Sequence, residues 1–299
     1  MMLLVTAYLC SFAIASICLL SGFQVYQSLY IEKRRVRKNP SDYRMDYQQF
    51  RIRTVDNKEI ESWLIPPPVP NNKGTIILCH NFKASKEKLL PYARFLYRAG
   101  FSTVLFDFRS HGNSGRDGFV YNYLNRFKRD LEAIAEFVSR QQPRHTSPKI
   151  GLMGFSIGCA AIALCSTKAI KTDAIVFDSG PPYDMNDTLR RMFQRTSKLP
   201  AIPFYYLFRF ICMIVIGRQY QGRLQKGSQR LSDIPVLFIH GQRDHILPSE
   251  NTRALYDLHN GLHKEYWLVP NAFHLTNHHV DKKGYEKKVV EFYSQYLQG

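Results

Sequence analysis

The sequence predicts an α/β fold, with a mostly parallel sheet covered by helices on both faces and one apolar helix ahead of it. Three observations carry this expectation. Short unbroken apolar runs alternate with segments whose apolar residues recur at helical spacing, two strand-like segments precede that alternation, and the first 31 residues hold no charged side chain. Unbroken apolar runs suit strands buried on both faces of a parallel sheet, and serial strand and helix pairs put helices on either side of it.

Residues 3–23 are almost continuously apolar, about the ~20 residues a helix needs to cross a ~30 Å hydrocarbon core. Residues 1–31 therefore read as a single-pass membrane anchor. A cleaved signal peptide is the competing reading, and Ala13-Ile14-Ala15 favours it. Against it, no basic region precedes the run, and the run continues through Ile17, Cys18, Leu19 and Leu20. Residues 32–46 form a basic linker in which Lys33, Arg34, Arg35, Arg37 and Lys38 follow the span, with no cation before it. The positive-inside rule then puts the body in the cytoplasm, and anionic lipid headgroups are the natural partners of this flank.

The body, residues 47–299, opens with strand-like segments over 48–55 and 60–65 around the turn pair Asp56-Asn57. A proline-rich stretch at 66–70 ends that hairpin. Strands are expected at 75–79, 103–108, 150–155, 174–177, 236–239 and 266–269, which makes eight with the hairpin. Helices are expected at 85–99 (stopped by Gly100), 124–140, from Ile157, at 252–258 and through 289–297. Residues 181–233 separate two strands by far more than the usual ~2 to 6 residue connection and read as a cap insertion. Within it, the apolar segment 204–216 is too short to span a bilayer and contains Arg209. It reads either as a helix packed on the core or as an apolar wall for an acyl chain. Arg190, Arg191, Arg195, Lys198, Arg218 and Arg223 flank it as solvated surface or as contacts to anionic lipid.

Net charge is +17, but no zinc-ligand spacing, basic leucine-zipper region or P-loop accompanies it, so nucleic acid is not the expected partner. Cys79, Cys159, Cys165 and Cys212 lie in apolar surroundings without regular spacing and read as buried small hydrophobes in a reducing compartment.

The chemistry gathers at strand ends. Gly154-Phe155-Ser156-Ile157-Gly158 is a GxSxG pentapeptide between an apolar strand and a small-residue helix, where glycines permit the sharp turn that lifts a serine hydroxyl clear of the sheet. After the next-to-last strand come His240-Gly241-Gln242-Arg243-Asp244, and after the last come Pro270-Asn271-Ala272-Phe273-His274. An acid and a histidine on successive loops can converge on Ser156. Ser156 is then the nucleophile, His274 its base and Asp244 the group that orients the imidazole. Asp178, at the end of the 174–177 strand, is the alternative acid. His245, His278 and His279 are weaker candidates for the base, and His80 reads as structural.

These motifs, in the chain order Ser, Asp, His, resemble the α/β-hydrolase family over the whole body. The segment Phe106-Asp107-Phe108-Arg109-Ser110-His111-Gly112-Asn113-Ser114-Gly115 is similar to the esterase and serine-aminopeptidase-like branch that includes membrane-anchored Bem46-type hydrolases. The resemblance implies an α/β-hydrolase fold with an eight-stranded, mostly parallel sheet and a cap. It also implies an oxyanion hole formed by the backbone N–H groups of Ile157 and Phe82. Asn81 stands where the family usually has glycine, and as the next most tolerant residue of positive φ it is expected to keep the loop's shape. Such chemistry needs neither metal nor organic cofactor. The expected substrate is a small-molecule or lipid acyl ester or thioester, because the cap is basic and apolar. A peptidase of the same fold, with Asp184 or Asp187 as an amine anchor, and a non-catalytic membrane-tethered scaffold are the alternatives.

Overall fold

The computed structural model describes residues 1–32, 36–69, 72–117, 122–140, 149–165, 170–196, 201–216 and 220–298. In them eight strands form one sheet: β1 (Gln48–Arg53), β2 (Glu59–Ile65), β3 (Thr75–Cys79), β4 (Ser102–Phe106), β5 (Ile150–Phe155), β6 (Ala174–Asp178), β7 (Val236–Gly241) and β8 (Lys264–Val269). Their lateral order is β1-β2-β4-β3-β5-β6-β7-β8. The β1/β2 and β2/β4 pairs are antiparallel and the others parallel. Strands β3 to β7 are buried along their full length, as unbroken apolar runs require. The chain reverses direction across the sheet after β4, so the carboxyl ends of β3, β5, β6, β7 and β8 share one edge, where α/β sheets place their ligands.

The helices are α1 (Met2–Leu29), α2 (Leu90–Arg98), α3 (Tyr123–Arg140), α4 (Ile157–Leu164), α5 (Met185–Thr196), α6 (Ala201–Ile216), α7 (Tyr220–Arg230), α8 (Ser249–Leu258), α9 (Asn277–Val280) and α10 (Lys282–Leu297). The closing helix starts earlier than its apolar spacing predicts, because Asp281 caps it by accepting the Gly284 N–H at 3.0 Å. The strand expected at 103–108 stops at Phe106. Two buried ionic groups draw the next residues out of the ladder. Lys86 Nζ lies 2.9 Å from Glu61 Oε1 and 2.5 Å from Asp107 Oδ2, above the Trp63 ring. Arg109 meets Asp130 at 2.7 Å, Asp56 at 2.7 Å and Asp117 at 3.2 Å. Together they pin the 107–117 loop to the hairpin and to α3.

Among the described residues one helix, α1, is long and apolar enough to cross a membrane. It divides into two parts. Up to Leu20 its described side chains are exposed or half-exposed, whereas Ser21, Gln24, Val25, Ser28 and Leu29, three and four residues apart, are buried, as is Ile31 beyond it. That stripe packs on α6 and joins the core. The basic residues Lys33, Arg34 and Arg35 lie outside the described residues.

The segment between β6 and β7 folds as α5, α6 and α7. On α6, Phe208 and Cys212 are fully buried, with the Phe208 ring 5.3 Å from Phe193 of α5, while Tyr206 and Phe210 are exposed. Much of the apolar character of 204–216 is therefore spent on packing against α5 and α1. Arg190 and Arg191 both pair with Asp187 at 2.6 Å, and Arg223 donates to Asn125 at 2.8 Å. Lys198 and Arg218 lie outside the described residues. All four body cysteines singled out from the sequence are buried and free.

Candidate active site

Ser156 joins β5 to α4 with φ +52° and ψ −108°, a conformation that costs a non-glycine residue on the order of 1 to 3 kcal/mol and persists only where its surroundings impose it. The two glycines of the pentapeptide explain how the turn fits. A Cβ on Gly154 would meet the Cys159 N at 2.7 Å, and one on Gly158 would meet the Cys79 carbonyl oxygen at 2.2 Å. Without side chains there, α4 can start directly over the end of β3.

The sheet edge brings the three predicted residues together. The Ser156 hydroxyl lies 3.1 Å from His274 Nε2, and His274 Nδ1 donates to Asp244 Oδ2 at 2.6 Å. Each is held by its own loop. The Asp244 carboxylate accepts the N–H groups of Ile246 at 2.9 Å and Leu247 at 2.8 Å. Phe273 N–H donates to Thr276 Oγ1 at 2.7 Å, and Leu275 N–H donates to Ser179 Oγ at 3.2 Å, which braces the turn on both sides of His274. Burial pushes the Asp244 carboxyl up. Hydrogen bonds from His240 and His274, the charge of His274 and the Leu247 N–H outweigh it and hold the group well below the usual carboxylate range.

Asp178, the alternative acid, has no bond to His274. Its carboxylate accepts from Ser179 Oγ at 2.7 Å, Asn277 Nδ2 at 2.7 Å and Tyr285 OH at 2.5 Å, all neutral donors. Burial dominates and raises its pKa. The other histidines are elsewhere engaged: His278 Nε2 pairs with Glu286 at 2.9 Å, and the His245 ring lies 5.7 Å from that of Phe273.

The loop after β3 carries the second expected oxyanion donor. Phe82 N–H has no hydrogen-bond partner among the described residues, and Ile157 N–H lies in the first turn of α4, where a helix leaves it unpaired. Asn81 does not carry the positive φ for which its tolerance was expected to matter. The left-handed residue of this loop is Lys83, at φ +59°, and Asn81 keeps negative φ. Glycine's freedom is not needed at position 81, since the turn is made two residues later. His80 Nδ1–H donates to the Asn81 carbonyl at 2.8 Å while its Nε2 accepts the Phe108 N–H at 3.0 Å. His111 Nδ1–H donates to the Arg109 carbonyl at 3.0 Å while its Nε2 accepts the Lys83 N–H at 3.2 Å. Both rings must be neutral to accept. Burial lowers the pKa of His80, and burial, the largest cause, lowers that of His111 to about 3.

Sequence reasoning gave no role to His111 or to His240, whose Nε2 lies 3.2 Å from Asp244 Oδ2. Their signal was the His-Gly pair that each forms at the end of a strand or its loop. Among the described residues no group of three or more His, Cys, Asp and Glu is arranged to hold a metal ion.

Comparison with known proteins finds likenesses across the whole fold. The family model described as serine aminopeptidase, S33, matches residues 70–205. The chain is 23% identical to protein bem46 of Schizosaccharomyces pombe over 91% of its own length and 85% of that protein's. It is 24% identical to the membrane protein YNL320W of Saccharomyces cerevisiae over 90% and 87%. Among solved structures it is similar to the Pyrococcus furiosus esterase Pf2001, with a TM-score of 0.71, 26% identity, and coverage of 89% of this chain and 98% of that one. An eight-stranded sheet of this order, with its serine at the turn into α4, and these likenesses give the chain the α/β-hydrolase fold and make it similar to the serine hydrolases of that family, esterases among them.

Proposed function

We propose that the chain is a membrane-anchored serine hydrolase that cleaves carboxylic esters or thioesters of apolar acyl chains. Ser156 attacks the acyl carbonyl while His274 takes its proton and later returns it to the leaving group. Asp244 holds the imidazole through its Nδ1–H and steadies the imidazolium. The N–H groups of Phe82 and Ile157 receive the developing oxyanion, and water then releases the acyl group from Ser156. The observation that carries this reading is the continuous line from Ser156 Oγ through His274 to the charged Asp244, at 3.1 and 2.6 Å.

The reading takes α1 as an uncleaved anchor with the body on the cytoplasmic side of its basic flank. Support comes from the exposed apolar length of α1 and from the burial of Val25, Leu29 and Ile31 in the body's core, which loss of a leader would uncover. A membrane protein among the relatives agrees with it.

A peptidase reading of the same triad has one observation in its favour: a pocket of about 270 Å3 lined by Asp184, Asp187, Arg191 and Glu250. Asp187 is engaged by two arginines there, and Asp184 caps α5 by accepting the Asp187 N–H. The test is a substrate series on the full-length protein in phosphatidylcholine vesicles. Rising kcat/KM from acetyl to longer acyl esters, several-fold per two carbons at up to ~0.8 kcal/mol per buried methylene, is expected. Highest activity on aminoacyl amides would transfer the assignment to the peptidase.

A further inference from the structure

Between the last turns of α1, the middle of α6 and the loop that follows β4 lies a cavity of about 500 Å3, within the ~300 to 1,000 Å3 range of small-ligand sites. Its walls are apolar: Val25 and Leu29 from α1, Ile31 just beyond it, and Ile211 and Val215 from α6. Its other end is polar, formed by Ser110, Arg116 and Asp117. Asp117 is neutralised by Lys58 at 3.4 Å, Arg109 at 3.2 Å and Arg126 at 2.5 Å. Arg116 is exposed and forms no ion pair among the described residues, so the mouth of an apolar slot carries one uncompensated positive charge.

We infer that this cavity binds one long-chain fatty acid, its tail between α1 and α6 and its carboxylate on Arg116. The inference rests on the reading of α1 as a membrane anchor. If α1 spans a bilayer, Gly22 to Leu29 sit where the helix leaves the hydrocarbon, and the slot opens to lipid at the depth of the headgroups. An apolar slot with a cation at its interfacial end is complementary to a chain with an anionic head. The helix that walls the site also reaches the proposed oxyanion loop: Gln27 of α1, between the lining residues Tyr26 and Leu29, accepts through its carbonyl a 2.9 Å hydrogen bond from Lys83 Nζ, and Lys83 follows Phe82. A fatty acid is the acyl product class of the proposed reaction, and its site shares α1 with the loop that would bind the reacting carbonyl.

The test uses the full-length protein in phosphatidylcholine vesicles with a photoactivatable diazirine analogue of palmitic acid, followed by peptide mapping. Adducts are expected in the peptides that hold residues 25–31 and 211–215. Unlabelled palmitate should compete them away, and palmityl alcohol should do so several-fold less well. Arg116→Gln should erase that difference, and Ile211→Trp should cut the yield at least fivefold. Adducts spread evenly along residues 4–20, without competition by palmitate in the wild type, would mark bulk lipid around the helix and overturn the inference, whether or not Ile211→Trp folds. Fluorophosphonate labelling of Ser156 in the same samples reports the hydrolase reading separately, because the photoadduct does not require a reactive serine.

Discussion

The ends of two neighbouring strands, β6 and β7, each bury a carboxyl group beside the nucleophile loop, and their surroundings shift the two pKa values in opposite directions. Asp244, just past β7, faces two imidazoles and two backbone N–H groups and is held charged. Asp178, at the end of β6, faces a tyrosine, a serine and an asparagine, and burial pushes it toward the neutral form. Asp178 ties β6 to the His274 loop and to α10 through Asn277, Ser179 and Tyr285. The pair teaches that depth and position at the sheet edge do not make an acid catalytic. The partner does: a carboxylate must meet a group that becomes positive in the reaction.

The largest effect should separate the two acids in activity. Asp244→Asn is expected to lower kcat by roughly 10³- to 10⁴-fold by presenting the wrong imidazole tautomer, whereas Asp178→Asn should keep most of the turnover measured on the same ester. If the two variants exchange these phenotypes, the triad is wrong at its acid. A second prediction concerns the buried charge that has no reacting partner. Lys86→Met would leave the buried Asp107 carboxylate without its cation, and Glu61 with only the exposed Arg51 at 3.5 Å, and should destabilise the fold by about 3 to 5 kcal/mol in chemical denaturation. An unchanged midpoint would remove the ionic pin from the account. The third is smaller. His111→Ala frees the Lys83 N–H and should lower kcat about tenfold with KM little changed, less than loss of an oxyanion donor itself.

The finest distinction is the sign of the pH dependence. A depressed carboxyl such as Asp244 contributes stability that is complete above roughly pH 4 and lost as pH falls toward its folded value. A raised one such as Asp178 contributes stability that is complete below roughly pH 4 and lost as pH rises through its folded value. The melting difference between wild type and Asp244→Asn should therefore widen from pH 2 to 5, and that between wild type and Asp178→Asn should narrow as pH rises. Parallel curves would mean that the two carboxyls are alike.

The strands and the three residues of the proposed triad were legible in the sequence because each signal is local. Apolar runs of five or six residues mark strands buried on both faces, GxSxG specifies a turn from its own glycines, and Asp244 and His274 follow their strands directly. What was not legible depends on partners distant in the chain. Lys86 reads as an ordinary surface lysine until Glu61 and Asp107 are brought beside it. His111 acquires its task only when Lys83 arrives 28 residues away in the chain. The left-handed position fell on Lys83 instead of Asn81 because the neighbouring carbonyl and N–H groups, not residue type, fix that loop. Likewise α1 reads as one apolar run, and only α6 reveals that its last turns belong to the body.

The central claim is that Ser156, activated by His274 and Asp244, is the nucleophile. Its most direct measurement is intact-mass and peptide analysis of the full-length protein after treatment with a fluorophosphonate. One covalent adduct on Ser156 is expected in the wild type, slowed strongly in Asp244→Asn and absent from a folded Ser156→Ala variant. An adduct on another residue, or labelling of Ser156→Ala at the wild-type rate, would contradict it.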